Sequence, residues 1–483
     1  MTSHLEEEYQ TSWLERQAFA ENMQPILGQL FRNKGVEITV YGRPLLNASP
    51  IDIIKAHKTV ALHEDSKLRL RESFPFVEAL SKMTLAPARI DVGKLAYRYL
   101  FQGISKDLSI EQYLEKELSS IANTKNEPQS QDVVLYGFGR IGRLLARLLI
   151  DQTGPTAELN LRAIVLRPSK GGDDLEKRAS LLRRDSVHGA FNGSITIDKE
   201  NNVIKANGAF IKVIYAKSPS EVDYTEYGIN NALVVDNTGI WSDEDGLGQH
   251  LQSKGVAKVL LTAPAKGDIK NIVYGVNHGM ILATDKIISA ASCTTNAITP
   301  VLKALNDEYG IRNGHVETIH SYTNDQNLID NYHPAPRRGR SAPLNMVIST
   351  TGAAKAVAKA LPELKGLLTG NAIRVPTPNV SMAIMNLNLK KATDKDTLND
   401  YLRNISLKSD LQNQVDYTAS TEIVSTDLVG SRYAGVVDSQ ATIVDGDRAV
   451  LYVWYDNEFG YSCQVVRVMS EMAGITVPTL PLN

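Results

Sequence analysis

The sequence has few cysteines, little net charge and no long apolar run, and each shortage excludes a class of protein. Two cysteines among 483 residues cannot form a disulfide framework, so we expect a reducing compartment. No run approaches the roughly 18 to 20 apolar residues that a membrane-spanning helix needs. The net charge of −2 gives no general attraction to nucleic acid or to anionic membranes. We therefore expect a soluble protein without nucleic-acid or membrane partners.

The N-terminus also lacks the features of a secretory signal. Residues 1–17 are acidic and polar, with neither a basic start nor an apolar core. The expected localisation is cytoplasmic. The length predicts about two to four domains of roughly 150 residues each.

A polar segment, residues 123–132, separates two parts of different texture. It contains a proline and has no apolar periodicity, which predicts a linker. Residues 1–125 fit helical spacing in several places, and they show no repeat, metal-ligand spacing or catalytic set. We predict a mostly helical N-terminal extension of unassigned role, with packing or oligomerisation as the simplest function.

After the linker, short apolar runs alternate with amphipathic helical segments. This alternation predicts an α/β fold, with a Rossmann-type dinucleotide-binding domain over residues 131–292 that a C-terminal helix, residues 457–483, completes. Residues 293–456 contain longer, partly alternating strands with helices between them. They predict an α+β catalytic domain with a mixed or antiparallel sheet.

Gly137, Gly139 and Gly142 form a G-x-G-x-x-G motif between a predicted strand and a predicted helix. That context is what a dinucleotide-binding turn requires. The first glycine allows the tight turn, the second admits a pyrophosphate, and the third lets the helix pack closely on the strand. The helix N-terminus then offers N–H groups and a positive dipole end to the phosphates.

The end of the second strand lacks the acid that usually binds the adenosine ribose 2′-hydroxyl. Arg167 and Lys170 stand there instead, and the first carboxylate is Asp173. Because an arginine can pair with a 2′-phosphate that a carboxylate would repel, Arg167 favours NADP or dual use of NAD and NADP. In the alternative interpretation Arg167 points to solvent and backbone groups hold the ribose.

The segment "SAASCTTNAITP" places Cys293 at the start of a predicted helix, with threonines available as caps. A helix N-terminus stabilises a thiolate, so we expect a lowered pKa for the Cys293 thiol. A histidine should act as the base, and composition alone does not choose among His320, His188, His315 and His333. Cys463 is expected to be a buried structural residue.

Several motifs resemble those of phosphorylating glyceraldehyde-3-phosphate dehydrogenases, in that family's order and from about residue 132 onward. They are "YGFGRIGR", "RDSVHG", "DNTG", "TAP", "ASCTTN", "TIHSYTNDQ", "TTGAAKAV", "RVPTPNVS" and "WYDNEFGYS". The resemblance implies Cys293 as nucleophile and His320 as base. It implies that the substrate C3 phosphate binds Thr323 and Arg374. The implied contacts of the attacking inorganic phosphate are Ser292, Thr294, Thr351 and Gly352, with Arg340 as a further anion contact.

The resemblance also implies the cofactor contacts, and it implies no metal. The implied contacts are Gly137, Gly139, Arg140, Ile141 and Gly142 at the pyrophosphate turn, Thr238, Gly239 and Thr262 further along, and Asn457 at the nicotinamide carboxamide. The implied activity is reversible oxidation and phosphorylation of glyceraldehyde 3-phosphate, in glycolysis or gluconeogenesis, by a homotetramer. Two alternatives stay open: an erythrose-4-phosphate dehydrogenase and a catalytically idle regulatory homologue. The intact "TTGAAKAV" favours a working inorganic-phosphate site.

Overall fold

A computed structural model describes residues 2–64, 66–124, 130–153, 159–168, 173–475 and 477–481. The described residues divide into two compact units, one of residues 2–124 with 477–481 and one of residues 130–475. In this part of the chain no helix is both long and apolar enough to cross a membrane. Residues 125–129 of the predicted linker, and Lys170, lie outside the described residues.

The first unit is mostly helical, as predicted, and it also contains a small sheet that the sequence did not predict. Its helices are α1 (Thr2–Lys34), α2 (Pro50–Lys58), α3 (Val60–His63), α4 (Leu70–Lys82), α5 (Val92–Leu100) and α6 (Ile110–Glu117). Its strands are β1 (Val36–Val40), β2 (Arg43–Pro44) and β3 (Ala88–Asp91). β1 lies in the middle, antiparallel to β2 and parallel to β3. Strands this short show little hydrophobic periodicity, so the sequence pattern does not predict them.

The second unit begins with the predicted Rossmann-type sheet. Its strands are β4 (Gln131–Tyr136), β5 (Leu159–Leu166), β6 (Ile195–Asp198), β7 (Val203–Ala206), β8 (Ala209–Tyr215), β9 (Ala232–Asp236), β10 (Val256–Leu261) and β11 (Ile287–Ser289). Their order is β11-β10-β9-β4-β5-β8-β7-β6, parallel from β11 to β8. The helices α7 (Arg140–Asp151), α8 (Asp174–Arg183) and α9 (Glu244–Gly248) connect them. Strand order reverses at β4, where ligands of such sheets bind.

A mixed sheet forms the rest of the second unit. Its strands are β12 (Ile311–Ser321), β13 (Val347–Ser349), β14 (Leu368–Val375), β15 (Ser381–Leu389), β16 (Val415–Thr418), β17 (Gly435–Asp438), β18 (Ile443–Asp445) and β19 (Arg448–Tyr455). The order is β13-β14-β12-β15-β19-β17-β16, and β18 pairs with β19. The accompanying helices are α10 (Cys293–Glu308), α11 (Ala353–Ala360), α12 (Lys395–Lys408) and α13 (Phe459–Ala473).

The C-terminal segment differs from the prediction. The helix expected over 457–483 ends at Ala473, because Gly474 adopts a left-handed φ of +70° and its N–H caps the last turn. α13 packs its buried face into the core of the Rossmann-type sheet. A last strand, β20 (Thr479–Leu480), instead pairs in parallel with β3 of the first unit. Residues 477–481 therefore belong to the first unit and not, as predicted, to the dinucleotide-binding domain.

Candidate active site

Cys293 and His320 are in contact although they lie 27 positions apart in the chain. Cys293 is the first residue of α10, whose cap Ser292 accepts a hydrogen bond from Thr295 N at 3.1 Å. His320 lies one residue before the end of β12. The distance from Cys293 Sγ to His320 Nε2 is 3.6 Å. Such a pair has the geometry of a nucleophile and its base.

The backbone orients the His320 ring. Nδ1 lies 2.7 Å from the carbonyl oxygen of Ser321. Arg374 Nη1, which only donates, lies 3.0 Å from the same Nδ1. We assign the ring proton to Nδ1 because the contact with Ser321 O, which only accepts, is the shorter of the two, and the Nε2 lone pair then faces Cys293. The other three histidines considered as bases bond elsewhere: His188 with Glu458, His315 with Thr369 and Asn371, and His333 with the backbone of Ala335.

Burial keeps both members of the pair neutral. It raises the pKa of the Cys293 thiol, against the opposing pull of the Arg374 charge. Burial, together with repulsion from Arg374, lowers the pKa of His320 to about 4. The expectation of a lowered thiol pKa is therefore corrected, because desolvation of the thiolate outweighs the stabilisation by its neighbours. The imidazole is free to accept the thiol proton at neutral pH.

Arg374, on β14, carries a positive charge beside His320. Its Nη1 donates to Ser321 O at 3.1 Å and to Thr323 Oγ1 at 3.2 Å. Burial lowers the pKa of Arg374, and the nearby charge of Arg338 lowers it further. Its Nε is buried without a hydrogen-bond partner among the described residues. A bound phosphate would satisfy this donor and offset the positive charge of the Arg374 guanidinium.

The four residues expected at the inorganic phosphate lie at two helix N-termini. Ser292 and Thr294 begin α10, and Thr351 and Gly352 precede α11. Thr351 Oγ1 accepts the N–H of Ala353 at 3.2 Å. The two helices pack against each other. Helix N-termini attract anions through their unpaired N–H groups and dipole.

The glycine turn after β4 fits a dinucleotide. Gly137 has a φ of +95°, and a Cβ on Gly142 would lie only 2.5 Å from Gly137 O. A Cβ on Gly139, at the N-terminus of α7, would meet no atom of the described residues within 4 Å. The two tight positions require glycine, while the open one leaves room for a pyrophosphate against the backbone.

The polar cofactor candidates lie at ends of strands in the second unit. Thr238 N and Oγ1 donate to Asp236 Oδ1 at 2.8 and 2.7 Å, and Thr262 Oγ1 donates to Asp236 O at 3.0 Å. Asn457 Oδ1 accepts from Ser381 Oγ at 2.8 Å. The other two cofactor candidates are not polar. Ile141 packs against the hydrophobic core, and Gly239 has a left-handed φ of +69°.

Two kinds of comparison with known proteins, with family models and with individual relatives, indicate one family. The model of the glyceraldehyde 3-phosphate dehydrogenase NAD binding domain matches residues 131–244, and that of the C-terminal domain matches residues 292–457. The chain belongs to the glyceraldehyde-3-phosphate dehydrogenase family. It therefore carries an NAD-binding domain of that family.

Three relatives show how far the similarity extends. A "glyceraldehyde-3-phosphate dehydrogenase-like protein" of Pseudomonas aeruginosa (strain UCBPP-PA14) is 61% identical over 464 residues, covering 95% of this chain and 100% of the relative. The glyceraldehyde-3-phosphate dehydrogenase of Zymomonas mobilis is 39% identical, covering 71% of this chain and 98% of its own. The chloroplastic glyceraldehyde-3-phosphate dehydrogenase A of Zea mays is 41% identical, covering 69% and 80%. The first relative thus shares most of the N-terminal extension.

Arg340, the further anion contact that the resemblance implied, pairs with a carboxylate at the surface. Its Nε donates to Asp330 at 2.7 Å, and 64% of its side chain is exposed. Arg338 is the arginine whose charge acts on Arg374. It donates to Asp325 Oδ2 at 2.5 Å and to Ser349 Oγ at 2.8 Å, which fix its guanidinium. The run "RRGR" contains several arginines that the sequence alone does not distinguish. Their different surroundings become visible only in the fold.

Arg338→Met and Arg340→Met form a matched pair for anion binding. We expect Arg338→Met to weaken binding of inorganic phosphate about tenfold or more, since a charge-assisted hydrogen bond contributes about 1.5–3 kcal/mol. Arg340→Met should change it less than about twofold, because exposed ion pairs contribute about 0–1 kcal/mol. Titration calorimetry with phosphate measures both. Equal losses in the two variants would contradict the assignment of Arg338.

Sequence reasoning assigned Arg140 to the pyrophosphate turn but missed its partners. Arg140 donates to Asp185 Oδ2 at 2.6 Å and to Glu458 Oε1 at 2.8 Å. Glu458 also lies 3.0 Å from His188 Nε2 and directly follows Asn457. The Arg140 side chain thus links the turn to the segment that holds the nicotinamide candidate. The pairing of "GFGR" with "NEFG" could have been suspected only from their opposite charges.

Tyr455 was also missed. Its hydroxyl lies 2.9 Å from Thr294 Oγ1, and its ring stands edge-on to His320 at a centroid distance of 6.1 Å. It is buried and therefore holds both the helix start and the base in place. A tyrosine just before "DNEFGYS" gives no sequence signal of this role.

Proposed function

We propose that the chain catalyses the reversible oxidative phosphorylation of glyceraldehyde 3-phosphate to 1,3-bisphosphoglycerate with NAD or NADP. The observation that carries the proposal is the 3.6 Å contact of Cys293 Sγ with His320 Nε2 beside the Arg374 guanidinium. In the proposed roles, these three residues are a nucleophile, its base and a phosphate-binding cation. This set suits an aldehyde that carries a phosphate.

The chain's own residues account for the proton and acyl transfers. His320 Nε2 takes the thiol proton while Cys293 Sγ forms a bond to the aldehyde carbon, giving a thiohemiacetal. Backbone N–H groups at the start of α10 stabilise the oxyanion that develops. A bound nicotinamide ring supplies the hydride acceptor. The Cys293 thioester is then attacked by inorganic phosphate, and the Cys293 thiolate leaves as the acyl phosphate forms.

Two anion positions support a substrate phosphate and an attacking phosphate. Arg374 and Thr323 would hold the C3 phosphate, because their hydrogen bond already aligns them beside His320. Arg338 and the N-terminus of α11 would hold the inorganic phosphate. The backbone N–H groups there are free of charge repulsion from carboxylates in the first turn.

Steady-state rates with and without inorganic phosphate test the reaction. We expect oxidation of glyceraldehyde 3-phosphate to depend on phosphate or arsenate, because the thioester needs an acceptor. Erythrose 4-phosphate serves as the comparison substrate. Equal rates without either anion would contradict the phosphorylating reaction, and faster turnover of erythrose 4-phosphate would favour the alternative dehydrogenase.

Arg167 is proposed to favour NADP or dual cofactor use. It follows β5 and is exposed, and its charge acts on Tyr136, whose pKa is raised to about 12 chiefly by burial and by Asp236. We expect Arg167→Asp to lower the NADP-to-NAD ratio of kcat/KM about tenfold or more, because a charge-assisted bond contributes about 1.5–3 kcal/mol. Arg184→Asp makes the same charge change at another surface site and should leave the ratio unchanged. An unaltered ratio in Arg167→Asp would mean that the ribose contacts other groups.

We further propose a cytoplasmic homotetramer. Large apolar side chains are exposed along residues 328–348 of the second unit, which supports self-association of that surface. They are Leu328, Ile329, Tyr332, Leu344, Met346 and Ile348. Sedimentation of the purified protein measures the assembly.

A further inference from the structure

The first half of α1 carries an exposed apolar stripe. Leu5, Tyr9 and Trp13 are spaced four residues apart and therefore lie on one side of the helix. Leu5 is 66% exposed and Tyr9 67% exposed. The Arg16 guanidinium lies over the Tyr9 ring at 5.9 Å and the Trp13 ring at 5.4 Å.

The same side of α1 is core further along the helix. Ala20, Met23, Leu27 and Leu30 continue the three- and four-residue spacing and are all at most 4% exposed. Contacts with α2, α4 and β1 cover them. One continuous apolar face therefore has a covered half and an open half. The two halves share the same apolar spacing, and they differ in whether this face is covered.

The open half of α1 is short, so it would have marginal stability as a helix by itself. Isolated helices shorter than about 12–15 residues are barely stable in water. The open half of α1 also contains residues of modest helix propensity, such as Thr11, Ser12 and Trp13. Burial of the stripe against a partner would supply the missing stabilisation.

We propose that the first half of α1 pairs in antiparallel fashion with the same segment of a second copy of this chain. Pairing centred on Thr11 places Tyr9 of each copy opposite Trp13 of the other. It also places the carboxylate of Glu6 opposite the guanidinium of Arg16. This arrangement is self-complementary, as a two-fold interface requires. Ser12 faces the crossing, and its small side chain lets the helices approach.

Disulfide trapping of the full-length chain tests the pairing. Oxidised Ser12→Cys should give a linked dimer, because two copies of residue 12 lie close to the two-fold axis. Leu5→Cys should give little, since its two copies would stand about 18 Å apart along the helices. The unchanged chain controls for linkage through Cys293 or Cys463. Equal linkage at positions 5 and 12 would indicate parallel pairing and overturn the proposal.

Adjacent residues provide a matched pair of disrupting variants. In the Ser12→Cys background, Trp13→Glu should lower the linked fraction about tenfold, the effect of losing roughly one aromatic contact per copy and adding repulsion. Leu14→Glu introduces the same charge on the opposite side, where Leu14 is 57% exposed, and should change nothing. Equal effects of the two variants would overturn the proposal. So would binding to phosphatidylcholine vesicles without a linked dimer, which would assign the stripe to lipid. These outcomes are independent of catalysis in the second unit.

Discussion

Replacing Cys293 with serine is expected to lower kcat for aldehyde oxidation roughly 10⁴-fold or more, the scale seen when a nucleophile is removed. The alcohol is far less acidic than the thiol, and His320 alone cannot generate an alkoxide. An ester would also be a poorer acyl donor than the thioester. Turnover under saturating substrate and cofactor measures the effect.

Cys463→Ser is the matched control for that loss. Cys463 is 7% exposed and lies in the core cluster around α13. We expect this variant to keep its turnover number, because Cys463 has no part in the proposed proton and acyl transfers. A comparable loss of kcat in both variants would mean that Cys293 acts through folding and not as nucleophile.

The second large effect is expected for His320→Asn, which should lower kcat/KM about 10²–10⁴-fold, the usual contribution of a general base. Asparagine can keep a hydrogen bond to Ser321 O but cannot accept the thiol proton. His315→Asn removes a histidine from the same strand, where it bonds Thr369 and Asn371. It should leave kcat/KM close to that of the unchanged protein.

The pH profile separates loss of a base from mere distortion. Because the pKa of His320 is lowered to about 4, its imidazole is neutral and able to accept a proton at every pH above that value. The unchanged protein should therefore show no fall in kcat/KM near the ordinary histidine pKa of about 6.5. In His320→Asn only the thiolate reacts, so kcat/KM should rise about tenfold per pH unit below the raised thiol pKa. Parallel profiles in the two proteins would contradict the base assignment.

Local sequence predicted much of the fold and the position of Cys293, the proposed nucleophile, at the start of a helix. The glycine positions in "GFGRIG" follow from short-range sterics, since Gly137 needs a positive φ and Gly142 has no room for a Cβ. The start of α10 at Cys293 follows from its Ser292 cap. Such features depend on neighbours a few residues away, and a sequence displays those neighbours directly.

Choices among like residues were not determined by the sequence. Four histidines were equal candidates until family motifs favoured His320, and the packing of β12 against α10 then placed it beside Cys293. Arg340 was expected at the anion site, but its guanidinium pairs with Asp330, whereas the charge of Arg338 acts on Arg374. Neither pattern nor charge distinguishes residues of one type that lie close together in the same loop.

Local geometry and motifs were enough to predict the Rossmann-type half, the family and the start of α10 at Cys293. The raised pKa of the Cys293 thiol could not be predicted in this way, because it depends on burial by segments distant in the chain. The pairing of β20 with β3 was decided only by the tertiary structure, because hydrogen bonds between strands join residues nearly 400 positions apart. Long-range contacts of this kind leave no periodicity in the chain that makes them.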